Sequence, residues 1–520
     1  MNTPPDGGTA APHVEVSRRL VLLNSAGTVL SQAVQISVLV WLQQYLLGRI
    51  STEEYSLYPV VMAVVIFAPL LTIALTSGLR RYTVEAYARG DEVGVTRIVS
   101  SMFPLLAAIA GFILVVGLGL SWQVSVVLEI PADRVWDARL MLALMMVLAA
   151  LRVVLAPFGL GLYIRQKFVW FQMIQLGTQL LRLALLCVLL FGVSTRVLWV
   201  VVATVLAEGT GLLVTHVISR RLVPALRFRT AAFDRTRVGS LLSFSGWAVV
   251  YQLALTLNQA AAPLVLNRLA TAMDVTCFYL GSLAWVQIQR TAQWATMPVQ
   301  PALTALHAHG NRDAIARACI QGNRYALWAV LALTVPLVVY RDELISLYVG
   351  PEYLEAAVAM TCLLGSLPFV YSQFMLGRLA VATVGLRQVA TRSIVHQIAT
   401  IGLMVYLVGP RGMGASGAAL AVFGTAVVVH PLWMWPLGRE LGGFSGRRWV
   451  RETVWPGMLP AICGGVVWLA LQVVVRPDSW VALGLCAVAG GAAYLVALVV
   501  FALDAGEREE LRGVLRRLTT

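Results

Sequence analysis

The chain has 520 residues, of which 59% are hydrophobic and only 12% charged, with a mean hydropathy of +0.79. Soluble domains carry roughly 25% charged residues, so composition excludes an ordinary water-soluble protein. The net charge of +14 would suit nucleic acid in a soluble chain, but no nucleic-acid motif accompanies it. The basic residues sit in short gaps between apolar runs, where membrane orientation and anionic head groups account for them.

In chain order, residues 1–19 form a polar tail with several Pro and Gly, read as a disordered cytoplasmic segment. The run 20–47 is too long for the apolar core of a cleaved signal peptide and is read as an uncleaved first span. Further runs follow at 57–79, 98–121, 140–163, 170–191, 197–218, 240–266, 275–299, 323–340, 356–383, 389–408, 415–437, 453–475 and 479–503. About 20 apolar residues cover the hydrocarbon core. The pattern predicts an all-α integral membrane protein with about 14 transmembrane helices; ten or twelve, with 323–340 or 453–475 misjudged, is the competing count.

Arg18, Arg19, Arg80, Arg81, Arg89, Arg97, Arg165, Lys167, the run Arg220 to Arg237 and the run Arg439 to Arg451 fall on alternate gaps. The intervening gaps carry only scattered residues such as Arg49, Arg134, Arg196, Arg268, Arg341, Arg411 and Arg476. Basic residues are retained in the cytoplasm, so both termini read as cytoplasmic. No gap exceeds about 25 residues, which leaves no room for a soluble catalytic or nucleotide domain. No GxxxxGK[ST] loop is present, which argues against direct ATP drive. Cys187, Cys277, Cys319, Cys362, Cys463 and Cys486 show no CxxC spacing, so neither a disulfide nor a metal site is expected.

Sparse landmarks recur in order. Gly27 and Arg49 match Gly246 and Arg268, "ARGD" (Ala88 to Asp91) matches "AHGN" (Ala308 to Asn311), Arg97 matches Arg317, Pro131 matches Pro351, and Arg165-Gln166 matches Arg387-Gln388. Six spans separate the copies, so the repeat is parallel. The expected organisation is a six-helix lobe over 20–219, a basic cytoplasmic linker over 220–239, and a second six-helix lobe over 240–437. A helix pair over 438–503 and a cytoplasmic tail over 504–520 follow.

Charges in hydrocarbon cost about 2.5–3.5 kcal/mol each on insertion scales and therefore face a cavity or a partner. Four arginines lie mid-span, Arg152, Arg182, Arg290 and Arg378, against one comparably deep acid, Glu208. A cavity shared by these arginines is cationic and suits an anion, and the planar guanidinium matches phosphate oxygens. Arg290 leads, because Gln287, Arg290 and Trp294 are spaced to share a helical face; snorkelling, or pairing with Glu208, is the structural alternative. The first span carries Asn24, Thr28, Ser31 and Gln35 at helical spacing, and the seventh carries Ser245, Gln252, Thr256 and Gln259 with Asn258 adjacent. Such stripes serve substrate contact or interhelical hydrogen bonding alike. Glu208, His396 and His430 are the candidates for ion coupling to a proton or sodium gradient; no other cofactor is expected.

The duplicated lobes, the mid-span arginines, the stretch "LGRISTEEYSLY" (Leu47 to Tyr58) and the turn at Gly90-Asp91 resemble polysaccharide-type flippases of the multidrug/oligosaccharidyl-lipid/polysaccharide exporter superfamily. The resemblance spans roughly residues 17–503 with diffuse motifs. It implies alternating access and movement of an undecaprenyl-pyrophosphate-linked oligosaccharide to the outer leaflet. Arg290 and neighbouring arginines would hold the pyrophosphate. The last two helices would form a groove for the polyprenyl tail, and a polysaccharide polymerase or glycosyltransferases would be the partners. The lipid II branch of the superfamily has basic residues in its first two helices, where this chain has only Arg80 and Arg81 at the end of the second. Two rivals remain open. One is a multidrug or cation antiporter, against which stands the absence of acids from the first span. The other is a membrane glycosyltransferase or polymerase using polyprenyl sugars, with Glu53-Glu54 as an acidic pair, but its outer loops are short.

Overall fold

Inside hydrocarbon each backbone N–H and C=O must be satisfied within its own segment, so apolar runs of this length fold as helices. The computed structural model describes residues 37–509 except 39, 69, 71–78, 80–81, 85, 88, 166, 235–245, 296–302, 304–305, 307–310, 383–385 and 505. Regular structure among the described residues is entirely helical. The principal elements are α1 (Thr52–Val65), α2 (Glu92–Trp122), α3 (Val135–Leu155), α4 (Phe168–Gly192) and α5 (Val197–Leu222). After the linker come α6 (Gly246–Leu269), α7 (Ala272–Ala295), α8 (Arg312–Val339), α9 (Glu355–Tyr371), α10 (Met375–Ala382), α11 (Leu386–Val408), α12 (Gly414–Val429), α13 (Trp455–Val475) and α14 (Trp480–Ala497). Ten helices among the described residues are long and apolar enough to cross a membrane, so the chain is a multi-pass membrane protein.

Boundaries differ from the apolar runs for local reasons. α2 and α8 begin well before positions 98 and 323, because capping residues start each helix in its polar approach. Asp91 Oδ1 accepts from Gly94 N at 2.6 Å, and Asn311 Oδ1 accepts from Ala314 N at 3.0 Å. Asp91 and Asn311 are matched landmarks of the repeat, and they do the same job in both copies. Pro131 and Pro351, also matched, each open a single 3-10 turn ahead of the next long helix. The run 356–383 is not one helix: a turn at 372–374 divides α9 from α10. Most of the first run lies outside the described residues; its end, at 40–47, is helical.

Backbone contacts divide the chain into two compact units. One comprises Met1–Gln43, Gly78–Gly111 and Ala150–Leu241, the other Gln44–Ser77, Phe112–Ala149 and Leu242–Thr520. The division does not follow the sequence halves, since 44–77 and 112–149 pack with the second half.

In the first unit α4 lies along α5. The segment after α5 is anchored to α2: Thr96 Oγ1 donates to Ala225 O (2.9 Å), and Arg229 N donates to Ser100 Oγ (2.9 Å). Phe103 packs on Phe158 and Phe228. Gly161 is required where it is, because a Cβ there would collide with the Ser219 backbone. Arg152 on α3 and Glu208 on α5 form an ion pair.

In the second unit α8 anchors the approach to α13 much as α2 anchors the segment after α5: Thr453 Oγ1 donates to Ile320 O (3.2 Å) and Trp328 Nε1 to Pro456 O (2.8 Å). Buried tyrosines fasten the last helix pair, with Tyr340 Oη donating to Trp468 O (2.9 Å) and Tyr494 Oη to Trp328 O (2.8 Å). The segment after α14 returns to α8, where buried Arg324 meets Asp504 (3.1 Å) and Glu507. Ends of first-half helices are tied to α6 and α7. Glu129 N donates to Asn267 Oδ1 and Asn267 Nδ2 donates back to Glu129 O, both at 2.9 Å. Arg268 also donates to Val126 O. Tyr55 and Tyr58 pack on Tyr279, with ring centroids 6.1 Å apart in each pair. Buried Glu54 pairs with Arg134 at 2.8 Å.

Two outcomes follow from these ion pairs. Removing one member of the Arg152–Glu208 pair leaves the other charge unmatched. Arg152→Met is therefore expected to lower the detergent melting temperature more than the double change Arg152→Met with Glu208→Gln, with a coupling of about 0.5–3 kcal/mol; strictly additive effects would contradict the pairing. Partial burial alone would raise the Glu507 carboxyl, but the Tyr325 hydroxyl and Arg324 outweigh it and hold it below the usual carboxylate range. A depressed carboxyl stabilises above its unfolded value and loses that contribution as pH falls through the folded one. The melting-temperature gap between the wild type and Glu507→Gln should accordingly narrow as pH drops below about 4; a gap that stays constant with pH would contradict the assignment.

Candidate functional site

Polar side chains on amphipathic faces of the second-unit helices converge on a cavity of about 410 Å³. α6 supplies Tyr251, Gln252 and Asn258, and α7 supplies Trp285, Gln289 and Gln293. α9 supplies Ser366 and Tyr371, and α10 supplies Arg378. α11 contributes Ser393, His396, Gln397 and Thr400, whose spacing of three and four places them on one helical face. His430, at the start of a π-helical turn (His430–Met434) that continues α12, completes this side. Such turns displace one residue from the regular ladder and are frequent at functional positions.

The chemistry of the lining is specific. Among the described residues it contains amides, hydroxyls, aromatic rings, two imidazoles and one guanidinium, and no carboxylate. Arg378 is positioned by donating from Nη2 to Gln293 O at 2.9 Å. Gln373 Nε2 donates to Trp435 O at 3.2 Å. The His396 and His430 rings meet edge to face, with centroids 5.4 Å apart and an interplanar angle of 86°. Thr400 Oγ1 donates to His396 O (2.9 Å) and lies 2.8 Å from Thr425 Oγ1. Tyr371 stacks on Phe374 at 4.9 Å. Three buried nitrogens in the lining have no hydrogen-bond partner among the described residues: Trp285 Nε1, His396 Nε2 and His430 Nδ1. Buried polar atoms are nearly always paired, so three in one cavity are an exception that points to a ligand.

The sequence candidates fall into separate places. Gln252, Asn258, Arg378, His396 and His430 line this cavity together. Arg290 and Gln287 do not line it. Arg290 is exposed on α7, and Gln287, half-buried, accepts from Thr291 Oγ1 through its carbonyl. The face of α7 that reaches the cavity is the adjacent one, bearing Trp285, Gln289 and Gln293. Arg152, Arg182 and Glu208 belong to the first unit. Glu208 is engaged by Arg152, not by Arg290. Arg182 is half-buried on α4 with no protein partner at Nε. Gln35, with the rest of the first-span polar stripe, lies outside the described residues, as does Ser245. Trp285, Gln289, Gln293 and, on α11, Ser393, Gln397 and Thr400 were missed, although their period with His396 was visible in the sequence.

No family model matches the chain. It is 21% identical over 512 residues to the uncharacterized membrane protein EpsK of Bacillus subtilis (strain 168), covering 95% of this chain and 97% of that protein. Among solved structures it is similar to the lipid II flippase MurJ in an inward closed conformation, with a TM-score of 0.67, 10% identity, and coverage of 92% of this chain and 98% of that one. It is also similar to an inward-facing MATE multidrug resistance transporter of the MOP superfamily, with a TM-score of 0.61, 15% identity, and coverage of 80% and 100%. A third similarity is to a MOP superfamily transporter from Pyrococcus furiosus described as having a binding pocket of reverse polarity, with a TM-score of 0.58, 13% identity, and coverage of 81% and 95%. The fold of this chain is therefore the all-helical membrane fold shared by the MurJ and MATE transporters.

Proposed function

We propose that this chain is a flippase that carries a polyprenyl-pyrophosphate-linked oligosaccharide from the cytoplasmic to the outer leaflet by alternating access. The observation that carries this reading is the cavity itself, with its amides, aromatic rings and Arg378 and no carboxylate in the lining. Amides both donate and accept, as sugar hydroxyls do, and aromatic rings offer apolar faces to pyranose rings. The guanidinium sets the sign of the ligand's charge. A drug-cation antiporter needs an acid to receive its substrate, and this lining offers none.

In the proposed mechanism sugars occupy the cavity, and exposed Arg290, beside the cavity-lining Gln289 and Gln293 on α7, engages the pyrophosphate. The polyprenyl tail stays in lipid. The ties from Glu129 to Asn267 and from Tyr55 and Tyr58 to Tyr279 join segments 44–77 and 112–149 to α6 and α7, and part to release cargo outside. Their exposed members are held by ordinary hydrogen bonds, each worth about 0.5–1.5 kcal/mol net, so they can open and close within a transport cycle. A proton gradient is the proposed drive, with His396 and His430 placed where a bound anion would be felt; Glu208 is already committed to Arg152.

The test follows labelled lipid-linked oligosaccharide in the two leaflets of cells lacking their own surface polysaccharide. Wild type is expected to move it outward. Arg290→Ala and Arg378→Ala, expressed to the same level, are expected to slow movement by about tenfold or more, the loss of a charge-assisted hydrogen bond. If wild-type protein leaves the labelled lipid inside, transport of this class is wrong; if both variants transport normally, neither arginine handles the cargo.

A further inference from the structure

We infer that the cavity lined by α6, α7, α10 and α11 is a subsite for an acidic sugar, one that carries a carboxylate, recognised through Trp285, Arg378, His396 and His430. The inference rests on the flippase reading and narrows it from any oligosaccharide to one containing a uronate-type unit.

The argument begins with what is left unpaired. An indole N–H is a donor and nothing else, so Trp285 Nε1 requires an acceptor atom. Trp285 is 5% exposed, so that requirement is felt at full strength. His396, 9% exposed, holds Nε2 without a protein partner, and His430 holds Nδ1 likewise. A neutral imidazole offers one donor and one acceptor, and becomes a donor at both nitrogens when an anion draws a proton to it. Arg378 adds a cation to the same lining. The described lining thus holds one obligate donor, two imidazole nitrogens open to a ligand and one cation, and no carboxylate.

A sugar hydroxyl can accept from Trp285 Nε1, but it brings no charge to match Arg378. A carboxylate brings two oxygens that only accept. The rest of the lining, Gln252, Asn258 and Gln289 with the Tyr371 ring, suits the hydroxyls and apolar face of the sugar bearing that carboxylate. The volume, about 410 Å³, lies within the about 300–1,000 Å³ of small-molecule pockets, a size for a short saccharide and not for a polyprenyl chain. A sodium or drug-cation site is the wrong sign for the same reasons.

The experiment uses the purified full-length chain in lipid nanodiscs and calorimetric titration with two probes: a glucuronate-containing disaccharide and its uncharged methyl ester. The acid is expected to bind about tenfold or more tightly than the ester, the difference a charge-assisted hydrogen bond makes. Arg378→Gln and His396→Asn are expected to weaken acid binding about tenfold or more and to bring it near that of the ester, and Arg378→Lys to retain part of the preference. A nanodisc melting temperature equal to that of the wild type shows that the variants remain folded. Equal binding of acid and ester, a preference that survives both substitutions, or no binding of either probe would each overturn the inference. Outward movement of lipid-linked oligosaccharide in the leaflet assay alongside any of those results would leave the flippase reading standing without this subsite; absence of movement would remove both.

Discussion

Low dielectric makes an unmatched polar group costly, and that constraint organises this molecule from its backbone to its cavity. Main-chain groups are settled by helix formation. Deep charges are settled individually: Arg152 by Glu208, Arg324 by Asp504 and Glu507, and Arg378 in part by a carbonyl at Gln293. Buried hydroxyls fall back on the carbonyl one turn earlier, as Thr204 and Thr400 do. Eleven buried side-chain nitrogens and oxygens among the described residues lack a partner, and three of them, on Trp285, His396 and His430, occur together in one cavity.

The same economy explains how the repeat works at atomic scale. Asp91 and Asn311 differ in charge, yet each supplies one side-chain oxygen to the N-terminus of a long helix. α2 and α8 then each pin the segment that follows their own group of helices, through Thr96 and Ser100 in one case and Ile320 and Trp328 in the other. Few residue identities persist between the copies because the shared requirement is a hydrogen-bonding role at a position, which more than one residue type can fill.

Much of the fold was legible in the chain because apolar length and basic-residue placement report directly on the bilayer. Helix starts were less legible: capping by Asp91 and Asn311 draws polar residues into helices, which a hydropathy pattern reads as loop. The break at 372–374 was hidden for the converse reason, since a turn packed among apolar neighbours keeps an apolar composition. At the site, Gln252, Asn258, Arg378, His396 and His430 were found as polar exceptions within apolar runs. Arg290 and Gln287 carried the same signal, yet α7 turns its neighbouring face to the cavity, and a rotation of about 100° per residue is beyond what a run of "QIQRTAQW" can settle without its packing partners. The engagement of Glu208 by Arg152 depends on the pairing of α3 with α5, which no spacing along the chain encodes.

The clasp between Glu129 and Asn267 carries an asymmetry of its own. Both of its hydrogen bonds use the main chain of position 129, whose N–H donates and whose C=O accepts, and both use the side chain of Asn267. Almost any amino acid at 129 presents the same N–H and C=O, but only an amide of this reach offers the matching donor and acceptor together. The main-chain half of the clasp therefore tolerates any residue but proline at 129, while an exchange that removes the carboxylate there still forfeits its contact with Arg268, 3.5 Å away.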